Sequence, residues 1–194
     1  FTPARHPLAT LLYRQNKTQE ALRELDRLQA ADPRHPAYAN LRAAALVRVG
    51  EYEAATAIYR QVLERHPRQP KGWMSYGHAL KTLGRRAECE AAYRKAVEQA
   101  PMLGEAWWSL ANLKTLRFSE DDLALMEGQL SREDLAEEDR FHLHYALGKA
   151  LEDAGAYEVS FGHYARGEAL RRAQIRYDVD ESSAHAARSK ALFS

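Results

Sequence analysis

The residue types best equipped for chemistry in this 194-residue chain are its histidines, its single cysteine and a few short charged runs. His142 and His144 are two apart, so on a helix they point in different directions and make a poor metal pair. Folding could bring His163 and His185 to them, but the spacing itself specifies no site. Asp178, Asp180 and Glu181 lack the glycine and the ligand spacing of a calcium loop, and read as the start of a helix. Gly148-Lys149 has the ending of a phosphate-binding loop without the upstream glycine or the following Ser or Thr. It also sits inside a helical pattern instead of after a strand, so a packing glycine followed by a surface lysine is the better reading. Cys89, set among Ala87, Ala91 and Ala92, reads as a small core residue. As the only cysteine it allows no intrachain disulfide and fits a reducing, cytoplasmic setting. No constellation here is read as catalytic or metal-binding.

The charged runs admit a bland and a functional reading. Glu133, Asp134, Glu137, Glu138 and Asp139 read as a solvated connection and helix start, with a docking patch for a basic partner as the alternative. Arg166, Arg171, Arg172 and Arg176 lie on a helix without aromatics interleaved for stacking on bases. They suit a solvated face or a contact with a neighbouring domain better than RNA. A formal net charge of +1 gives no reason to expect nucleic acid or an anionic membrane as partner. No apolar run approaches the roughly 20 residues that cross a bilayer. With 45% hydrophobic and 28% charged residues, the composition is that of a soluble globular domain. The chain begins at Phe1 with no basic-then-apolar leader, and reads as a piece of something longer.

The elements that position these residues follow from a repeat. Pro33, Pro67 and Pro101 are spaced by 67 − 33 = 34 and 101 − 67 = 34, and Gly50 and Gly84, like Tyr59 and Tyr93, keep the same interval. That period is the length of the tetratricopeptide repeat (TPR), a pair of antiparallel helices. The resemblance is clearest in Trp73, Gly77, Leu80, Gly84, Tyr93, Ala96 and Pro101. Ala43, Leu46, Gly50, Tyr52, Ala55, Tyr59 and Pro67 form a second matching unit, and Ala9, Leu12, Asn16, Ala21, Leu25 and Pro33 a degenerate one. After Pro101 the period breaks. Ala106 to Ala111 begins another first helix, but Phe118 falls where the turn glycine belongs, and Ser119 followed by three acids predicts a helix over 120–130. Leu147, Gly148, Leu151, Gly155, Tyr157 and Tyr164 then mark a further pair, with Gly167 where alanine is usual and the second helix running to about Ile175. A last helix over 180–193 is expected to cover the end of the stack. The fold class is therefore all-α, a right-handed TPR solenoid of antiparallel helix pairs with an irregular C-terminal half and a capping helix. The single domain divides into 1–35, 36–69, 70–103, an irregular TPR-like pair at 104–132, a TPR-like pair at 133–178, and a cap at 179–194.

Three further stretches carry a finer resemblance. Ala106-Trp107-Trp108-Ser109-Leu110-Ala111-Asn112-Leu113-Lys114, then Leu147-Gly148-Lys149-Ala150-Leu151-Glu152-Asp153, then Gly167-Glu168-Ala169-Leu170-Arg171-Arg172 with Tyr177-Asp178, resemble the N-terminal region of bacterial TPR-containing sulfotransferases. The resemblance is most specific from Glu105 to Asp178. It implies a following sulfotransferase domain that uses 3′-phosphoadenosine 5′-phosphosulfate and is entered by a strand and a Gly-x-Pro-Arg-Ser-Gly-Thr-like loop. No such loop occurs in these residues, so no catalytic residue carries over and no cofactor is expected here.

First helices line the concave face of a TPR superhelix. The register places Asn40, Val47 and Arg48 there, then Met74, His78 and Lys81, then Trp108 and Asn112, then Tyr145 and Lys149. This mixture of aromatic, amide and basic groups would suit an extended peptide bearing an acidic group, with a tryptophan as hot spot. The TPR subgroup that clamps C-terminal carboxylates needs Lys and Asn at first-repeat positions where His6 and Thr10 stand. Two functions are expected. One is recruitment of a polypeptide for the adjacent sulfotransferase domain. The other is structural docking or homodimerisation without a peptide ligand.

Overall fold

Turn residues at a fixed interval cut the chain into helices. The computed structural model describes residues 2–175 and 178–192, and among these it is all-helical, with no strand. Three successive antiparallel pairs come first: α1 (Thr2–Arg14) with α2 (Thr18–Ala31), α3 (Pro36–Arg48) with α4 (Tyr52–Arg65), and α5 (Pro70–Thr82) with α6 (Arg86–Gln99). Then come α7 (Gly104–Ala111), α8 (Glu120–Leu130), the pair α9 (Glu137–Asp153) and α10 (Tyr157–Gln174), and α11 (Val179–Leu192). Arg176 and Tyr177, and the expected helix end at Phe193, lie outside the described residues.

The register explains the joints. Each turn within a pair needs one residue at positive φ, supplied by Gly50 (φ 88), Gly84 (φ 71) and Gly155 (φ 78). Asn16, one period before Gly50, fills the same role at φ 63, which asparagine tolerates better than most side chains. Pro36 and Pro70 begin α3 and α5, where a missing N–H leaves no helical bond unmade. Trp73 and Trp107, also one period apart, donate their indole N–H to the carbonyls of Pro67 and Pro101 at 2.7 and 2.8 Å. Each ties a first helix to the connection before it. From α3 to α9 a main core runs along the stack, with Leu63, Leu80, Tyr93, Trp107, Leu110 and Leu147 almost wholly buried, while Ala9, Leu25 and Leu28 form a separate cluster between α1 and α2. Cys89 lies in that core, where burial pushes its thiol pKa up and leaves it unreactive.

The C-terminal half departs from the period for local reasons. A turn glycine would fall at 84 + 34 = 118, but Lys114 takes the left-handed conformation (φ 60) four residues sooner. Consequently α7 has 8 residues where α3 and α5 have 13. Ser119 then starts α8 with a reciprocal cap: its hydroxyl accepts from the Asp122 N–H and its own N–H donates to the Asp122 carboxylate. The TPR-like pair expected over 104–132 does not form, because α8 packs on α9 instead of folding back along α7, and α7 meets α9 directly. Gly104 makes that contact feasible. It stands one period after Pro70, donates its N–H to Asp139 Oδ1 at 2.9 Å, and a Cβ there would lie 2.1 Å from the Asp139 carbonyl oxygen. Neither proline nor any larger residue could occupy it.

The last helix appears where it is expected, begun by Asp178, whose carboxylate accepts from the N–H groups of Asp180 and Glu181 at 2.8 and 3.1 Å. It does not cap the stack as expected. None of its described residues is buried: apart from Val179 and Leu192 at its two ends its apolar residues are alanines, which offer little area to the end of the solenoid.

Candidate functional site

Two adjacent tryptophans on α7 set the geometry. Consecutive helical residues point about 100° apart. Trp107 faces the core at 1% exposure, which leaves Trp108 half-buried against the edge of that core. Its ring lies 5.5 Å from that of Tyr145 on α9, and Tyr145 lies 5.9 Å from Phe141, one turn back on the same helix. These three rings wall a cleft of about 520 Å³ between α7, α9 and α10. Glu105 closes it from α7, and Glu138 and His142 from α9. Tyr164, Glu168 and Arg171 follow along one stripe of α10 at helical spacing.

The polar groups of the cleft are held in place. The Tyr93 hydroxyl bonds His78 Nδ1 at 2.8 Å, and His78 Nε2 lies 3.5 Å from Glu105. That His78 contact is the main reason the Glu105 carboxyl titrates below its ordinary range. Tyr145 donates its hydroxyl to Glu168 at 3.0 Å, and burial, reinforced by this bond, raises the phenol pKa and keeps it a donor. Burial lowers the pKa of His142, so the ring is neutral near pH 7. Its Nδ1 is buried without a well-aligned hydrogen bond, and the Glu138 backbone one turn back only partly opposes the lowering. The Arg171 guanidinium carbon stands 5.3 Å from the centre of the Phe141 ring.

Of the expected groove residues, Trp108 and Tyr145 line this cleft and His78 supports it from behind. Asn40 lies at clefts beside α3, bonding Gln69 at 2.7 Å. Val47 is partly buried against the main core. Arg48 is engaged internally, donating to the Tyr13 carbonyl with its guanidinium 3.7 Å over the Tyr13 ring. Lys149 pairs with Asp153 and Glu152 on its own helix. Lys81 and Asn112 are exposed and do not line the cleft. Met74 is a correction: at 8% exposure it belongs to the core, where a flexible thioether gains more from packing than from water. The expected basic, acid-seeking character is also absent from this cleft, whose ionic groups are mostly carboxylates. Glu105, Glu138, Phe141, His142, Tyr164, Glu168 and Arg171 are lining residues that the register did not assign to the groove. Glu138 carried a signal within the acidic stretch read as an alternative dock for a basic partner, and Arg171 within the arginine run read as a solvated face or a contact with a neighbouring domain.

Two other groups of interest resolve as structural. His144 and His163 meet across α9 and α10 with their Nδ1 atoms 3.1 Å apart, both buried. Burial, with the neighbouring His163 second, lowers the His144 pKa to about 4. Burial likewise lowers that of His163. Among the described residues no third ligand-type side chain joins them. Gly148-Lys149 lies inside α9, so these residues do not fit a phosphosulfate donor.

Two tetratricopeptide repeat family models match the sequence, one over residues 6–70 and the other over 46–113. Through these residues the chain belongs to the tetratricopeptide repeat family. Solved TPR-like structures agree on the fold. A MamA RS-1 double mutant superposes with a TM-score of 0.65 at 19% identity, covering 91% of this chain and 97% of that one. MamA from residue 41 onward of Desulfovibrio magneticus RS-1 gives 0.63 at 19% identity, with 89% and 96% covered. The first TPR domain of Spaghetti (RPAP3), bound to the HSP90 peptide SRMEEVD, gives 0.56 at 21% identity, with 58% and 90% covered. No curated protein sequence matches the chain.

Proposed function

We propose that this TPR chain is a protein–protein interaction scaffold whose cleft between α7, α9 and α10 docks an extended segment of a partner polypeptide. Trp108 carries the reading: a half-buried tryptophan in a concave aromatic site with converging polar groups is a typical binding hot spot. That a TPR domain of the same fold is bound to a peptide lends support by analogy. Selection from a random peptide library on the 194-residue chain, followed by titration of the chosen peptide, tests it. Binding should weaken on Trp108→Ala; a peptide indifferent to that change would contradict the reading. The resemblance over residues 105–178 supports a finer step, in which the docked polypeptide is oriented for a C-terminal sulfotransferase domain. A reading frame beyond Ser194 without the Gly-x-Pro-Arg-Ser-Gly-Thr-like loop would remove that step.

A second reading, structural docking or homodimerisation, is favoured by Tyr157 and Phe161. They sit one turn apart on α10 at 70% and 73% exposure. Sedimentation equilibrium would decide it: a dimer abolished by Phe161→Ser supports it, and a monomer at high concentration argues against it.

A further inference from the structure

We infer that the cleft receives the cationic side chain, lysine or arginine, of a basic extended segment in the partner polypeptide. This rests on the docking reading above and adds the chemistry of what is docked. Trp108 and Tyr145 are inclined at 48°, and Tyr145 and Phe141 at 67°, so the walls offer ring faces in more than one direction. Aromatic faces carry negative potential and attract cations held within about 6 Å of the ring centre.

Each of the three helices adds one carboxylate: Glu105 from α7, Glu138 from α9 and Glu168 from α10. Two of them are aimed by partners on other helices, His78 and Tyr145. Among the described residues, the lining holds one cation, Arg171, so the charges of the described lining sum to −3 + 1 = −2. The chain as a whole carries +1, so this negative field is local to the cleft. Arg171 already holds its guanidinium 5.3 Å from the Phe141 ring centre, which shows that the wall accepts that group. An acidic peptide would meet uncompensated carboxylates instead.

The test is a fluorescence anisotropy titration of the whole chain with three acetylated, amidated peptides of equal length. They alternate serine with arginine, with glutamate or with glycine. The arginine peptide should bind, the other two should not, and Trp108→Ala should weaken binding by about tenfold. The double variant Glu138→Gln/Glu168→Gln should weaken it by about fivefold or more, while Arg171→Ala should strengthen it. Circular dichroism of each variant separates lost binding from lost folding. If the glutamate peptide binds and depends on Trp108, the cleft docks polypeptides but the charge assignment is overturned. If the arginine peptide weakens on Trp108→Ala but binds the charge variants as it binds the wild type, the charge inference fails while the docking reading stands; if it binds every variant equally, attraction is diffuse and both fail. If a folded chain binds no peptide, including any chosen from a library, both fall.

Discussion

The pairs α3–α4 and α5–α6 can be set beside the stretch from α7 to α10, since both start from one 34-residue register. In the regular pairs the first helices run 13 residues to Gly50 and Gly84, and side chains bond along the stack, Asn40 Nδ2 to Gln69 and His78 to Tyr93, although Asn40 Oδ1 stays buried without a partner. In the later stretch the left-handed turn comes early at Lys114, α8 is displaced, and α9 moves onto α7. That contact sets Trp108 against Tyr145 and opens the aromatic cleft. Polar groups are buried in this stretch too, His144 and His163 meeting across α9 and α10. The site of a repeat protein is to be sought where its period fails.

The largest effect expected on this comparison is at the indole ties. Trp107→Ala should lose about 3–5 kcal/mol in urea unfolding, as buried aromatics do. Trp73→Ala, which removes the equivalent but half-buried tie, should lose less, about 2 kcal/mol. Equal losses would mean the two halves are built with the same tightness after all. Next is Gly104→Ala. Its Cβ meets backbone, the Asp139 carbonyl oxygen at 2.1 Å, so α7 and α9 must separate, at a cost of about 3 kcal/mol. A variant that melts with the wild type would show that α9 does not close on α7.

The imidazole pair gives the later stretch a pH dependence. His144 titrates near 4 in the folded chain, below its ordinary 6.5, and His163 is lowered too. Below pH 6.5 the unfolded chain therefore binds protons that the folded one refuses. Stability is full above that pH and falls as the pH drops toward 4, by up to about 3 kcal/mol for His144. Chemical unfolding from pH 7 to pH 4.5 should show this slope, and His144→Gln should flatten it; an unchanged slope would place the acid sensitivity elsewhere. Smaller again is Gly84→Val in the regular half. Here a Cβ meets nothing within 4 Å, so only the strain of a β-branched residue at φ 71 remains, about 1–2 kcal/mol. A melting temperature identical to wild type would remove the turn from the account.

Much of this was legible in the residues. Glycine, proline and tyrosine at one interval marked the pairs through α6, and Ser119 with its acids marked the start of α8. Helical geometry sets Trp107 and Trp108 about 100° apart, and the repeat register, not that geometry, chose which of them is turned away from the core. The direct meeting of α7 and α9 was not legible, because it depends on where the backbone turns at Lys114 and on the space beside Gly104. The cleft was half-hidden for the same reason. The register assigns Trp108 and Tyr145 to the concave face, but Glu168 and Arg171 sit on a second helix, outside the positions such a register examines. His144 and His163 are 19 residues apart, an interval that advertises no pairing.

Trp108→Ala tests the central claim most directly. Thermal melting should place it close to wild type and well above Trp107→Ala, because a half-buried ring supports little of the core. Titration with the arginine–serine peptide should show its affinity reduced by about tenfold. If Trp108→Ala melts as early as Trp107→Ala, or binds that peptide as wild type does, the cleft is packing and not a docking site.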